Sequence, residues 1–251
     1  MKDEKLYGGV LVKAVGILDI LRDAKLPLTT TEIAKKTAMT KSTTSKLLTT
    51  MQMLNLVSRD QVSQRFDIGA RLIGYGNHAI SNYSFEKVLE PYLKHLHELT
   101  GLTIHVGIEQ DDKMIYIVKK EAKVAVTLKS RVGDQVPLYS SAMGKAVLAE
   151  KSDEEITAYV NRTHLVQWTD KTRTTLEDLM SDIHAIRQEG VAFDKEENEP
   201  GIYCTGVAFT SRGHTYGAVS VSVPVYYLDD IKKKEIIQAL LEIKKVMHQK
   251  I

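Results

Sequence analysis

The stretch from Pro27 to Met53 constrains this chain more than any other. Pro27 ends whatever helix precedes it, and Thr29-x-x-Glu32 is a capping box, in which the threonine oxygen and the glutamate each satisfy an N–H left free at a helix start. A second start residue, Thr40, follows Ala38 and Met39. The segment therefore holds a short helix over about Thr30 to Thr37, a tight turn, and a longer helix from Thr40 to about Met53. Upstream, Ala14, Ile17, Leu18 and Leu21 recur at i, i+3, i+4 and i+7, the apolar stripe of another helix. Two helices joined by a turn of three or four residues form a helix-turn-helix.

The longer helix divides by face. Thr44, Leu47, Leu48, Met51 and Leu54 should pack inward, while Ser42, Ser45, Lys46 and Thr49 lie opposite, with Met53 as the apolar exception. Short hydroxyls beside long cations suit a DNA groove, because lysine reaches guanine acceptors or phosphates and Ser/Thr bonds to either. A solvated helix face has the same composition, so this helix alone does not decide. Two β-prone runs follow, Leu56–Arg59 and Arg65–Ile68, around the polar turn Asp60–Gln64. A hairpin after a recognition helix makes a winged helix-turn-helix, and Arg59 and Arg65 in the wing can meet phosphates.

Charge points the same way. Residues 1–80 carry 12 Lys/Arg against 7 Asp/Glu, a balance of +5 in a chain whose total is +2, and Ile33 to Arg59 contains no acid. A basic segment joined to a mildly acidic one suggests a nucleic-acid reader with something attached. At 251 residues the chain has room for two domains of about 100–200 residues each. Residues 70–82 read as a linker helix anchored by Leu72, Ile73 and Ile80, with a buried core helix as the alternative.

Beyond it, helices alternate with strands. Phe85–Leu99 is an amphipathic helix stopped at Gly101. Leu102, Ile104, Val106 and Ile108 alternate with Thr103, His105 and Gly107, the pattern of a half-buried strand. Asp111-Asp112-Lys113 turns into Met114–Val118, and Val124–Leu128 resembles a third strand. Helices follow over Ser141–Ala149, from the Ser152-x-x-Glu155 cap, and over Thr175–Glu189 to Gly190. Tyr203–Thr210 and Tyr216–Val223 form a hairpin, and Leu228–His248 is the final helix. Hairpins dominate, so the fold class is α+β: an antiparallel sheet packed with helices.

Several chemistries are excluded. The run Tyr139–Ala146 lacks the glycine and the Ser/Thr that a phosphate loop needs. His95 and His97 lie at i, i+2 and point apart, unlike a zinc-protease helix, and no nucleophile elbow exists. The single cysteine, Cys204, permits no intrachain disulfide or cysteine cage. The acids Asp194, Glu196, Glu197 and Glu199 have the chemistry to hold a cation or perform acid–base work, but such a run is more usually an exposed, solvated loop. No catalytic set, metal site or cofactor is expected. The opening Met1–Lys5 has acids where an export signal needs bases, and no apolar run of about 20 residues spans a membrane, so a cytoplasmic protein is expected.

Taken together, Pro27–Leu48, RFDIGARL, TGLTIHVGIEQDDKMIYIVKKEA, VPLYSSAMGKAVLA, IRQEGVAFDKEENEPGIYCTGVAF and GAVSVSVP resemble the IclR-type bacterial transcription regulators, in order over nearly the whole chain. The resemblance implies a winged helix-turn-helix (residues 1–69), a linker helix (70–82) and a GAF-like effector-binding domain (83–251). It implies homodimers or dimer-of-dimers tetramers that bind palindromic operators in double-stranded DNA and answer to a small-molecule effector, often an organic acid. The family's DNA-reading run matches Lys41, Ser42, Thr43, Ser45 and Lys46, with Thr40 in place of a usual proline and Lys46 in place of a usual arginine, which loses a bidentate fork.

The family's effector pocket matches Ala142, Met143, Asp194, Cys204, Ser220 and Ser222. Spacing adds that residues 220 and 222 share a strand face. Ser140 and Ser141 precede a helix whose free N–H groups at Ala142 and Met143 can cradle an anion. Satisfied core serines and a small buried thiol remain the alternatives for Ser220, Ser222 and Cys204. An effector-controlled DNA-binding regulator is therefore expected, with a small-molecule enzyme or a protein adaptor as the other readings.

Overall fold

The computed structural model describes residues 7–81, 85–123, 128–211 and 213–250. The chain divides into two compact units, Met1–Tyr83 and Ser84–Ile251.

In the first unit, α1 (Gly9–Asp23), α2 (Thr30–Lys36) and α3 (Lys41–Met53) precede the hairpin β1 (Val57–Arg59) and β2 (Phe66–Ile68), then α4 (Arg71–Ser81). The Thr29 capping box forms as the sequence requires, and Thr40 Oγ1 caps α3 by accepting the Thr43 N–H at 3.2 Å. Between the helices Ala38 turns the chain with φ 52°. Ile17, Leu21, Ile33, Leu48, Met51, Val57 and Phe66 make one core, so α1, α2, α3 and the wing root share a single packing event. Leu28 and Phe66 exchange backbone hydrogen bonds of 2.9 and 2.7 Å, which tie the segment before α2 to the wing. Leu54, expected inward, is 45% exposed because it caps α3 where the chain turns away. No residue of α4 is buried, which disfavours the core-helix alternative.

The second unit runs α5 (Phe85–Thr100), β3 (Thr103–Gln110), β4 (Lys113–Lys120), β5 (Gln135–Pro137), α6 (Ala142–Ala149), α7 (Asp153–Arg162), α8 (Leu176–Glu189), β6 (Ala192–Lys195), β7 (Ile202–Ser211), β8 (His214–Pro224) and α9 (Asp230–Lys250). The sheet order is β5-β4-β3-β8-β7-β6 and every pairing is antiparallel. On one face α6 packs with Met114, Ala192, Ala208 and Ala218 and with α7 and α8 behind it. The other face meets α5 and α9, where Phe85 packs edge-on against Phe209 at 4.9 Å.

Two expectations change, and a third lies almost wholly outside the described residues. Strand β3 is not half-buried: Thr103 and His105 are 1% and 2% exposed, because helices cover both faces of the sheet. The acidic stretch is not an exposed loop: Asp194 lies on β6, and both Asp194 and Glu197 are 3% exposed. The strand expected over Val124–Leu128 falls, except for Leu128, outside the described residues, and Leu128 itself is not in a strand.

Candidate functional site

In the first unit the face of α3 away from the core presents Lys41, Ser42, Ser45, Lys46 and Thr49, all exposed, while Thr44, Leu48 and Met51 hold the other face. Thr43 is half-buried and its hydroxyl accepts from Thr40 Oγ1 at 2.9 Å, so it serves the cap. Arg59 is held over the Phe66 ring at 5.2 Å. Arg65 has an internal role beside the phosphate contact expected of it: Nη1 donates to Pro27 O at 2.8 Å and to Glu32 Oε2 at 3.0 Å. The same carboxylate accepts the Thr29 N–H at 2.7 Å, so Arg65 braces the wing against the capping box.

In the second unit cross-strand register builds a polar stripe. Asp194 pairs with Cys204, Cys204 with Ser222, and Ser222 with Thr103; one step along the same face stand Gly206, Ser220 and His105. Residues directly opposite in an antiparallel pair share a face, so four strands present their polar side chains together. Above this stripe sits the N-terminus of α6. Ser141 Oγ accepts the Gly144 N–H at 3.1 Å and donates to Pro137 O at 2.6 Å, so its hydroxyl is engaged in the cap. The N–H groups of Ala142 and Met143 have no partner within the helix. A Cβ at Gly206 would stand 3.0 Å from the Ala142 carbonyl carbon and 3.1 Å from the Met143 nitrogen; glycine there lets the helix end approach the sheet.

Between helix end and stripe lies a cavity of about 40 Å³, about three times the minimum that holds one water. All seven residues expected to meet an effector line it: Ser141, Ala142, Met143, Asp194, Cys204, Ser220 and Ser222. Four more polar side chains border it that the sequence did not single out: His105, Tyr116, Ser130 and Asn198. The thiol of Cys204 donates to Ser222 Oγ at 3.2 Å, and Ser222 Oγ lies 3.4 Å from His105 Nδ1. His105 Nε2 is 2.8 Å from Ser130 Oγ, and its ring stacks on Tyr116 at 4.4 Å. Only the alternation of His105 with apolar neighbours signals it in sequence, and that pattern also fits an outward side chain.

Burial governs the electrostatics. It pushes the Asp194 carboxyl up to about 7, with the neighbouring Glu197 charge adding to the effect and two backbone N–H bonds and Lys145 opposing it. Burial holds His105 down at about 3, helped by the Lys119 ammonium, so its imidazole is neutral. The Cys204 thiol is pushed well up by burial and then by Asp194, which keeps it protonated and unreactive. A neutral histidine, a protonated thiol and two serines can hydrogen-bond a ligand but hold no activated nucleophile.

Two family models together match almost the whole chain: the IclR helix-turn-helix domain over residues 10–61 and the bacterial transcriptional regulator IclR C-terminal domain over residues 77–247. The chain belongs to the IclR family. It is a transcription regulator with a helix-turn-helix DNA-binding domain and a C-terminal effector-binding domain, and the family's named members are regulators rather than enzymes. It is 29% identical to the HTH-type transcriptional regulator XynR of Escherichia coli over 87% of each chain. The crystal structure of Thermotoga maritima IclR superposes with a TM-score of 0.83 at 30% identity, covering 96% of this chain and 98% of that one. An IclR homologue from Microbacterium hydrocarbonoxydans, crystallised with 4-hydroxybenzoate, shares the fold with a TM-score of 0.78 at 17% identity, over 95% and 98% of the two chains. No helix among the described residues is long and apolar enough to cross a membrane.

Proposed function

We propose that this IclR-family protein is a cytoplasmic homodimer, or a tetramer of two dimers, that reads a palindromic operator with α3 and loosens or tightens its hold when a small organic acid enters the cavity under α6. The exposed hydroxyl-and-lysine face of α3, backed by a core that leaves it no internal role, is the observation that carries the DNA reading. Lys41 and Lys46 supply charge to phosphates or guanine edges, Ser42, Ser45 and Thr49 read edges at short range, and Arg59 reaches the backbone from the wing. Two copies entering successive major grooves explain the preference for a palindrome.

For the effector, the Ala142 and Met143 N–H groups receive a carboxylate or carbonyl oxygen. Asp194 opposes an anion only when ionised, and its raised pKa makes it a donor to that oxygen at and below neutrality. Ser220 and Ser222 bond a keto or hydroxyl group. The small cavity favours a compact acid, and an aromatic acid such as the one on the Microbacterium relative would require the walls to move. The effector acts by binding one arrangement of the paired reading heads better than the other. The test is DNA-binding anisotropy in the presence of small keto, hydroxy and aromatic carboxylates. One of them should shift the affinity in the wild type and fail to do so in Ser222→Val; no shift with any of them rejects an organic-acid effector.

A further inference from the structure

A second cavity, of about 300 Å³, lies at the free edge of β6 between α8 and α9. Ile186, Val191 and Ile237 give it apolar walls, and Phe193 forms part of the floor. Phe193 and Lys195 alternate with Asp194 along β6 and so project to the face opposite the polar stripe. The Lys195 ammonium lies 5.9 Å from the Phe193 ring centroid and that of Lys233 lies 5.2 Å from it. Two cations are thus gathered on one ring, and neither is ion-paired among the described residues, while Glu189 stands exposed at the rim. The remaining charges are already matched: Lys145 pairs with Asp182 at 2.9 Å and with Glu197 at 2.6 Å, and Asp182 also lies 3.6 Å from Arg173 Nε. Lys233 also lies 5.5 Å from the Tyr203 ring, and with no carboxylate among the described residues paired to either ammonium an anion entering the cavity meets two cations.

We propose that this cavity is a second small-molecule site, for an organic monocarboxylate with a flat or branched apolar body. The carboxylate lies between the Lys195 and Lys233 ammonium groups and the body against Phe193, Ile186 and Ile237. An apolar cavity of about 150 Å³ accepts benzene, so this one has room for a ring and its carboxylate. The site is wired to the first: Lys145, on its wall, bonds Glu197 at 2.6 Å, and the Glu197 N–H donates to Asp194 Oδ1 at 2.7 Å. If the effector reading above holds, ligands at the two cavities change each other's affinity reciprocally; binding at the second cavity does not rest on that reading.

The test is ¹⁹F NMR titration of 4-fluorobenzoate with the full chain. Saturable line broadening is expected in the wild type and in Ser222→Val or, should that fold poorly, Ser220→Val. In the double variant Lys195→Gln, Lys233→Gln, with unchanged circular dichroism, affinity should fall by about tenfold or more. Absence of saturable broadening overturns the proposal. Loss in the serine variant with retention in the lysine variant overturns it too, since the probe then occupies the first cavity. A change of sedimenting mass in the lysine variant likewise overturns it, because the groove is then an interface between copies.

Discussion

Lys145 Nζ lies 2.6 Å from Glu197 Oε1, and the two side chains are 2% and 4% exposed. The pair joins α6, whose first turn roofs the effector cavity, to the loop after β6 that carries Asn198. Removing Lys145 leaves the Glu197 carboxylate buried without its counter-charge, whereas Lys145 itself has a second partner in Asp182 at 2.9 Å. Lys145→Met should therefore cost about 3–5 kcal/mol, and Lys145→Met with Glu197→Leu should recover most of it. Urea unfolding of the three proteins checks this; equal loss in the single and double variants would show that packing, not charge, holds the loop.

Two buried groups in the effector cavity pull the pH dependence in opposite directions. Asp194 binds its proton more tightly folded than unfolded, so its contribution to stability is present below its ordinary value near 4 and is lost as pH rises through about 7. His105 binds its proton less tightly folded, so its contribution is present above about 6.5 and is lost as pH falls through about 3. Between about 4 and 6.5 the two slopes offset one another in the wild type. Asp194→Asn should leave stability rising with pH in that window, and His105→Gln should leave it falling, each by an amount on the order of 3 kcal/mol. Thermal midpoints across that range decide, and parallel profiles for both variants would contradict the assignment.

Arg65 and Lys46 should separate bracing from reading. Arg65→Ala breaks the exposed pair with Glu32 and the bond to Pro27 O, and should lower the melting temperature of the first unit slightly. Lys46→Ala touches no internal contact of its ammonium and should leave the melting temperature unchanged while DNA affinity falls. A destabilised Lys46→Ala protein would remove the basis for that distinction.

The single tryptophan, Trp168, offers a reporter. Its indole N–H donates to Tyr139 Oη at 2.8 Å, and the adjacent Ser140 donates to Asn198 on the cavity wall at 3.2 Å. Effector binding should shift Trp168 emission, and Asn198→Ala should weaken that shift. Emission indifferent to an effector that changes DNA binding would place the response elsewhere.

What was legible in the sequence is what local chemistry determines. Thr29 with Glu32, Thr40, Ser152 with Glu155, and Gly190 mark helix ends through bonds within four residues, and the helices end where these residues predict. Ser220 and Ser222 share a face because strand alternation is local. Strand β6 escaped because Ala192–Lys195 is four residues long with an acid in it, and its burial follows only from pairing with β7. His105 escaped for a similar reason: whether an alternating polar residue faces water or a cavity depends on a helix, α6, that lies far along the chain. The internal role of Arg65 depends on Glu32, well upstream of it, and charge alone suggested a phosphate.

Whether α3 is the reading helix is decided by fluorescence anisotropy of the full chain on the DNA upstream of its own gene, against scrambled DNA, over a salt series, beside Lys46→Ala. Preferential binding is expected, with an affinity that falls steeply with salt and a salt slope smaller by about one in Lys46→Ala. Equal affinity for both DNAs, or a Lys46→Ala protein indistinguishable from wild type, would contradict the assignment of α3 to the DNA groove.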